Sequence, residues 1–379
     1  MLNNNMKAMG LIFPNSFDAL VTRMVKFRLM ASLPFASRYR LVDFPLSSMS
    51  NCGIDNVWIL PNRNYLSLMD HLGTGREWDL ARKNGGVHIF PPFAESGSKV
   101  APGRVGTLAN ILRLLKDQHE KYVVMADTNM AVNFDFKAMI AEHIATGADV
   151  TIAYNVQALP ESALSSSDVD KDLYYAFDID DGRVTDIHVN PTEGVQNLSM
   201  NYFVMEREVL IKLVQEAFSH GMTHFTRDVL WAQRNELNIH AYKYEGYVSR
   251  IWSITSYFEE NMKLLDDKNL DALFSGNPIY TKVRDDNPTR YIAGAKVSNA
   301  MIADGCVIEG EVENCVLFRG VKIAKGAKVS NCILMQDTVV EADAKIDYII
   351  ADKNVTISAG KELKGTDTYP VYIVKFGRV

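Results

Sequence analysis

The segments Ser298–Ile302 (SNAMI), Glu313–Leu317 (ENCVL), Ser330–Leu334 (SNCIL) and Ile346–Ile350 (IDYII) recur at spacings of 15, 17 and 16 residues. Apolar residues within and between them step by six: Ile302 to Ile308, Leu317 to Ile323 to Val329, and Leu334 to Val340 to Ile346. Neither a helix of period 3.6 nor an alternating strand produces that step. Three flat faces of about six residues close one coil, so the repeat predicts a left-handed parallel β-helix. Gly305, Gly310, Gly320 and Gly326 are expected at its corners, which argues against a sandwich of regular strands. A coil stacks its apolar column inward and leaves open edges at its ends, so oligomerisation is expected.

Upstream of Val297 the texture differs. Short β-rich runs at Lys7 to Phe13, Asn56 to Leu60, Tyr122 to Ala126 and Val150 to Tyr154 alternate with helix-period stretches at Leu108 to Glu120 and Phe136 to Ala145. Alternation of this kind implies a mostly parallel sheet with helices on both faces, with ligands at the carboxyl ends of the strands. Leu164 to Asp172, rich in Ser and Asp, reads as a solvated loop, and Asp180-Asp181-Gly182 as a hairpin turn. Three parts are expected: residues 1–245 as the α/β domain, 246–290 as a helical linker, and 291–379 as the β-helix.

The bulk composition excludes several classes. With 379 residues and 47% hydrophobic content the chain has room for two cores. A net charge of -6 argues against nucleic acid as a partner, because phosphate-backbone binding needs clustered Lys and Arg. Cys52, Cys306, Cys315 and Cys332 show no CxxC spacing and are expected as reduced thiols, the last three packing in the β-helix. The apolar run from Ala8 is broken at Gly10 and too short for a signal or a membrane span, so a cytoplasmic protein with no membrane partner is expected.

Pro34-Phe35 followed by Arg38-Tyr39-Arg40-Leu41-Val42-Asp43-Phe44-Pro45-Leu46-Ser47 resembles the VPFGGKYRIIDFALSN block of the ADP-glucose pyrophosphorylase (glucose-1-phosphate adenylyltransferase) family. Further matches follow in order: Cys52-Gly53-Ile54, Gly106-Thr107, Asp135-Phe136, Phe225 with Asp228, Gly246-Tyr247, and Ser256 to Leu265 against the family's AYWEANMDLL. The resemblance spans nearly the whole chain and implies a nucleotidyltransferase-like α/β domain ahead of the β-helix. Family members join ATP to glucose 1-phosphate with Mg²⁺. Such a site must hold the leaving diphosphate, bind the metal with carboxylates, and position a second anion.

Measured against that pattern, this chain lacks the working groups. The family's GGxGxRL loop falls on Asn15, Ser16, Phe17, Asp18, Ala19, Leu20 and Val21, without a glycine or an arginine. Asp18 is expected to set a carboxylate where phosphate oxygens belong. The lysine of AKPAVPF falls on Met30, and the aspartate of GTADA on Ala109. The GDH aspartate, a magnesium ligand, falls on Asn129 counted without a gap, or on Asp127 with a two-residue gap; the ungapped count is preferred. The second magnesium aspartate falls on Arg250, and the phosphate-binding EKP triplet on Val189-Asn190-Pro191. Met200-Asn201 stands where the family's glycine lets backbone approach the sugar.

The resemblance therefore implies the family's regulatory, GlgD-type branch: no catalytic residue, no cofactor on this chain, and Mg²⁺ only on a catalytic partner subunit in a mixed tetramer. Arg38, Arg40, Asp43, Gly106, Thr107 and Asp228 are the candidates for a residual anion or ligand pocket, with local pairing of Arg40 and Asp43 the plainer reading. His71, His88 and His119 lack ligand-spaced partners and are read as ordinary surface or core residues. Lys361, Lys364, Lys375 and Arg378 read as a solvated basic tail, a phosphorylated metabolite effector being the functional alternative. Two other classes remain: a weakly active adenylyltransferase, and a β-helix acyltransferase, the latter disfavoured because no histidine lies between Val297 and Gly360.

Overall fold

A computed structural model of the chain describes residues 6–92, 103–159, 174–191 and 194–379. The loop expected at Leu164 to Asp172 lies outside the described residues. Two compact units emerge, one of residues 1–17, 44–128 and 133–246, the other of 18–43, 129–132 and 247–379. The division is therefore not the linear one expected at residue 245, because two early segments cluster with the C-terminal part.

The first unit is built on strands β1 (Ala8–Phe13), β2 (Asn56–Ile59), β3 (Gly86–Ile89), β4 (Tyr122–Asp127), β5 (Val150–Ala158), β6 (Tyr175–Asp180), β7 (Arg183–Val189), β8 (Val195–Glu206) and β9 (Ile239–Lys243). They form one sheet in the order β3-β2-β1-β4-β8-β5-β9-β7-β6. The half β3-β2-β1-β4 is parallel, as the alternating pattern predicts, whereas β8 runs antiparallel to both β4 and β5. Every residue of β1 is buried, which is the mark of a strand covered on both faces. Met9, Leu11 and Phe13 join one core with Val105, Leu108, Ile111 and Leu115 of a helix over Gly103–Lys116. Alternate residues of β1 face the other way, and there a Cβ on Gly10 would lie 2.5 Å from Met49 Sδ in the helix over Asp43–Asn51. Helices thus cover both faces. The hairpin expected at Asp181-Gly182 joins β6 to β7, with φ of 46° and 76° at the two turn residues.

The second unit holds the β-helix. One face stacks Ile308, Ile323, Val340 and Ile357 in parallel register, another Val312, Val329, Ile346 and Leu363, and the third Leu317, Leu334, Ala351 and Ile373. Nearly all are buried, so the six-residue step is the inward column. The corners correct the glycine expectation in part. Gly305, Gly320 and Gly326 do take positive φ, but Gly310 does not, and a Cβ there would meet Ala327 O at 2.4 Å. A further corner is turned by Asn299, Asn314, Asn331 and Tyr348, with φ between 45° and 55°. The asparagine amides form a ladder: Asn299 donates to Asn314 at 2.7 Å, Asn314 to Asn331 at 3.3 Å, and Asn331 to Asp347 at 2.9 Å. Asparagine tolerates the left-handed region because its short amide bonds locally.

The segment 18–43 belongs to this unit through buried polar contacts. Arg28 pairs with Asp352 at 2.5 Å with both side chains almost fully buried, and the Tyr372 hydroxyl donates to the other Asp352 oxygen at 2.6 Å. The Tyr257 hydroxyl donates to the Pro34 carbonyl at 2.6 Å, from a helix over Ile254–Lys263 capped by Ser253 and Ser256. Among the described residues no helix is long and apolar enough to cross a membrane.

Candidate active-site cleft

In the first unit a cavity of about 260 Å³ opens at the carboxyl ends of β1 and β4. This is where an open α/β sheet places its ligands. Phe13, Asn15 and Ser16 line it from the end of β1, Asp127 from the end of β4, and Arg104 and Thr107 from the first turn of the Gly103–Lys116 helix. Asn62, Tyr175, Asn201 and His224 complete much of the wall.

The chemistry centres on Asp127, whose side chain is 1% exposed. Its Oδ1 accepts from the Ser16 hydroxyl at 2.7 Å and from an Arg104 guanidinium nitrogen at 2.5 Å. Its Oδ2 is buried and has no hydrogen-bond partner among the described residues. Burial raises the Asp127 carboxyl above the usual range, and the Arg104 charge and the Ser16 hydroxyl pull against that rise. Arg104 lies against aromatic surface, its Cζ 4.5 Å from the Phe13 ring centre and 5.6 Å from that of Phe203. The Asp127 carboxylate and the Arg104 guanidinium are thus paired with each other.

Several expected site residues have other work. Asp18 does not point at a phosphate position: it is buried, and its carboxylate accepts the Met30 N–H at 2.7 Å, tying down its own loop. Met30 is fully buried, Leu20 is half-buried, and Ala109 packs beside the apolar core. Asn15 lines the cleft but also braces it, accepting the Asn62 N–H at 2.8 Å. Gly106 is buried in the helix, while Thr107 reaches Asn62 at 3.5 Å and Gly103 O at 3.0 Å. Asn201 takes φ 51° at the irregular stretch of β8, the conformation a glycine would adopt, and so brings an amide into the cavity. Asn190 lies elsewhere, in a groove with Asp178 and His188, where its N–H bonds Tyr174 O and its amide oxygen accepts from Tyr174 N–H.

Asp228 is a structural cap. Burial works to raise its pKa, but the Arg227 N–H and the backbone N–H groups of His224 and Thr223 outweigh it and hold the carboxyl at about 2. It thereby fixes the turn that presents His224, Phe225 and Thr226 to the cleft.

The two alternatives for the first metal position separate. Asp127 brings its carboxylate to the cleft, whereas Asn129 belongs to the second unit, where its carbonyl accepts the Ile251 N–H at 2.8 Å. Arg250 is in that unit too, buried in a two-stranded ribbon in which Arg250 pairs with Met130, and its guanidinium lies 5.1 Å from the Trp252 ring. Mg²⁺ requires near-octahedral oxygen ligation. Among the described residues no group of three or more His, Cys, Asp or Glu is arranged to hold a metal.

Of the remaining candidates, Arg38 is exposed and lies 6.0 Å from the Tyr39 ring. The Arg40 backbone N–H donates to Asp43 at 2.9 Å, closing a turn whose Ala36 and Ser37 have positive φ. Lys353 sits near Arg40, Arg28 and Lys375, and burial with those charges pushes its ammonium down to about 6. Lys364 and Arg378 face Asp347 and Glu341 at 3.9 and 3.6 Å. His71 packs edge-on against Trp78, and the His88 ring bonds the Gly85 carbonyl. Arg104 went unnoticed in the sequence; its only signal was an arginine beside a glycine at a helix start, three residues ahead of Thr107.

Comparison with known proteins supplies the class first. Residues 28–266 match the nucleotidyl transferase family, and residues 283–369 the GlmU-like C-terminal hexapeptide family. The chain is 34% identical over 376 residues to the glycogen biosynthesis protein GlgD of Bacillus subtilis (strain 168), covering 99% of this chain and 97% of that one. It is 36% identical over 331 residues to the protein of the same name from Geobacillus stearothermophilus, covering 86% and 83%. The glucose-1-phosphate adenylyltransferase of the latter organism is 32% identical over 305 residues, covering 79% and 76%. The chain belongs to the glucose-1-phosphate adenylyltransferase, or ADP-glucose pyrophosphorylase, family and to its GlgD-type branch.

Proposed function

We propose that the chain is a non-catalytic subunit of an ADP-glucose-forming enzyme in glycogen synthesis, tuning a catalytic partner in a hetero-oligomer. One observation carries this reading: the cleft's buried carboxylate is bonded to Arg104, beside a loop with no glycine to admit a triphosphate. A nucleotide–metal complex brings both a divalent cation and a polyanion, and this cleft accommodates neither charge. The relatives named glycogen biosynthesis protein support the pathway, and the open edges of the β-helix support assembly. Such a subunit acts by binding two conformations of its partner with unequal affinity. An anionic, phosphorylated effector would act at the C-terminal basic groups Lys361, Lys364, Lys375 and Arg378.

The test is ADP-glucose formation from ATP and glucose 1-phosphate, with Mg²⁺ throughout, by this chain, by a catalytic family subunit, and by the two together. The expected result is silence alone and a mixture that exceeds the catalytic subunit. Turnover by this chain alone, even if slow, would establish the adenylyltransferase reading instead.

A further inference from the structure

We infer that Arg104 is the resident cation of this cleft: its guanidinium holds the place beside Asp127 that a divalent ion would need, and so keeps the cleft free of metal. The Arg104–Asp127 pair on which this rests also carries the regulatory reading, which it deepens, yet the mixing assay could fail while this exchange of ions holds.

Geometry carries it. Asp127 ends a central strand of the sheet, at the point where the cavity opens, and a carboxylate buried there requires a counter-charge. The guanidinium supplies it through a charge-assisted bond to Oδ1, supported by the Ser16 hydroxyl on the same oxygen. Stacking over Phe13 holds the planar group in position without help from a ligand. Among the described residues the second carboxylate oxygen has no hydrogen-bond partner, so it is the oxygen a metal would take. A divalent ion bonding that oxygen would sit within a few ångströms of the guanidinium, where two positive charges repel in a low-dielectric site. Among the described residues that line the cavity, Arg104 is the sole Arg or Lys and Asp127 the sole Asp or Glu, so each fixes how the other is used.

Two reciprocal substitutions in the full chain test this. Arg104→Gln keeps hydrogen-bond donors beside Ser16 and Asp127 but removes the charge. With Mn²⁺ alone as probe, read by the spin-resonance signal of free ion, the wild type should leave the metal in solution. Arg104→Gln should bind one Mn²⁺ at least about tenfold more tightly than wild type, and adding Asp127→Asn should abolish the gain. Conversely, Asp127→Asn alone releases the guanidinium, and inorganic phosphate should bind at least about tenfold more tightly than to wild type. Mn²⁺ binding by the wild type that Asp127→Asn removes would overturn the inference. So would a folded Arg104→Gln protein that binds Mn²⁺ no better than wild type. Should Arg104→Gln lose its near-ultraviolet dichroism, the phosphate arm decides alone: a gain supports the assignment and no gain overturns it.

Discussion

The β-helix and the cleft are two regions of one chain that encode their structure in different ways. In the β-helix, a residue's partner is the residue one coil away, so Ile308, Ile323, Val340 and Ile357 meet because the sequence repeats. In the cleft, Ser16, Arg104 and Asp127 come from three separate elements and meet only because β1 and β4 are neighbours in the sheet. Periodic contacts are readable from spacing, whereas a site assembled at strand ends is readable only once strand order is known.

Stability measurements can break or sharpen that contrast. The largest effect is expected in the periodic column. Leu334→Ala, at a fully buried step, should lower stability by about 2–5 kcal/mol, read as the denaturant midpoint of the β-helix transition. A loss no larger than that of an exposed substitution would mean the column is not what holds the coil.

Next comes the cleft, through Asp228. Its carboxyl titrates at about 2 in the folded chain against about 3.9 unfolded, so the unfolded state takes up the proton first as pH falls. The contribution, about 2 kcal/mol at most, is fully present above about pH 4 and disappears towards about pH 2. Asp228→Asn should flatten that part of the acid limb in a pH series of urea melts. An unchanged limb would show that the turn presenting His224 to the cleft is held by something else.

The smallest effect separates backbone from side chain at the asparagine corner. Asn314→Gly keeps the left-handed turn but removes the amide ladder, while Asn314→Ala removes both. Alanine should cost about 1–2 kcal/mol and glycine about half of that, measured by thermal melts. Equal losses would assign the corner to the ladder alone.

Much of the fold was legible because local physics agreed with tertiary demand. The stretch Ala8–Phe13 reads as a buried strand and is one, and Asp181-Gly182 turns a hairpin because both residues take positive φ at low cost. The corner asparagines were also visible, as the second letter of SNAMI, ENCVL and SNCIL, but glycine was the more familiar corner residue. Departures from the family pattern were legible as letters: no glycine loop, and Met30, Asn190 and Arg250 at charged family positions. What occupies the cleft was not. Asp18 looked like a carboxylate aimed at phosphate, yet a buried N–H at Met30 claims it, because an unsatisfied buried donor is costlier than a lost surface charge.

By itself the sequence determined the two architectures, the six-residue column and the family, since each rests on spacing or on contiguous motifs. Only the tertiary structure decided that residues 18–43 cluster with the C-terminal unit, that Asp127 rather than Asn129 reaches the cleft, and that Arg104 neutralises it. Each of those depends on a charge or hydrogen bond between residues far apart in the chain, where burial sets the strength of the interaction and sequence distance carries no information about it.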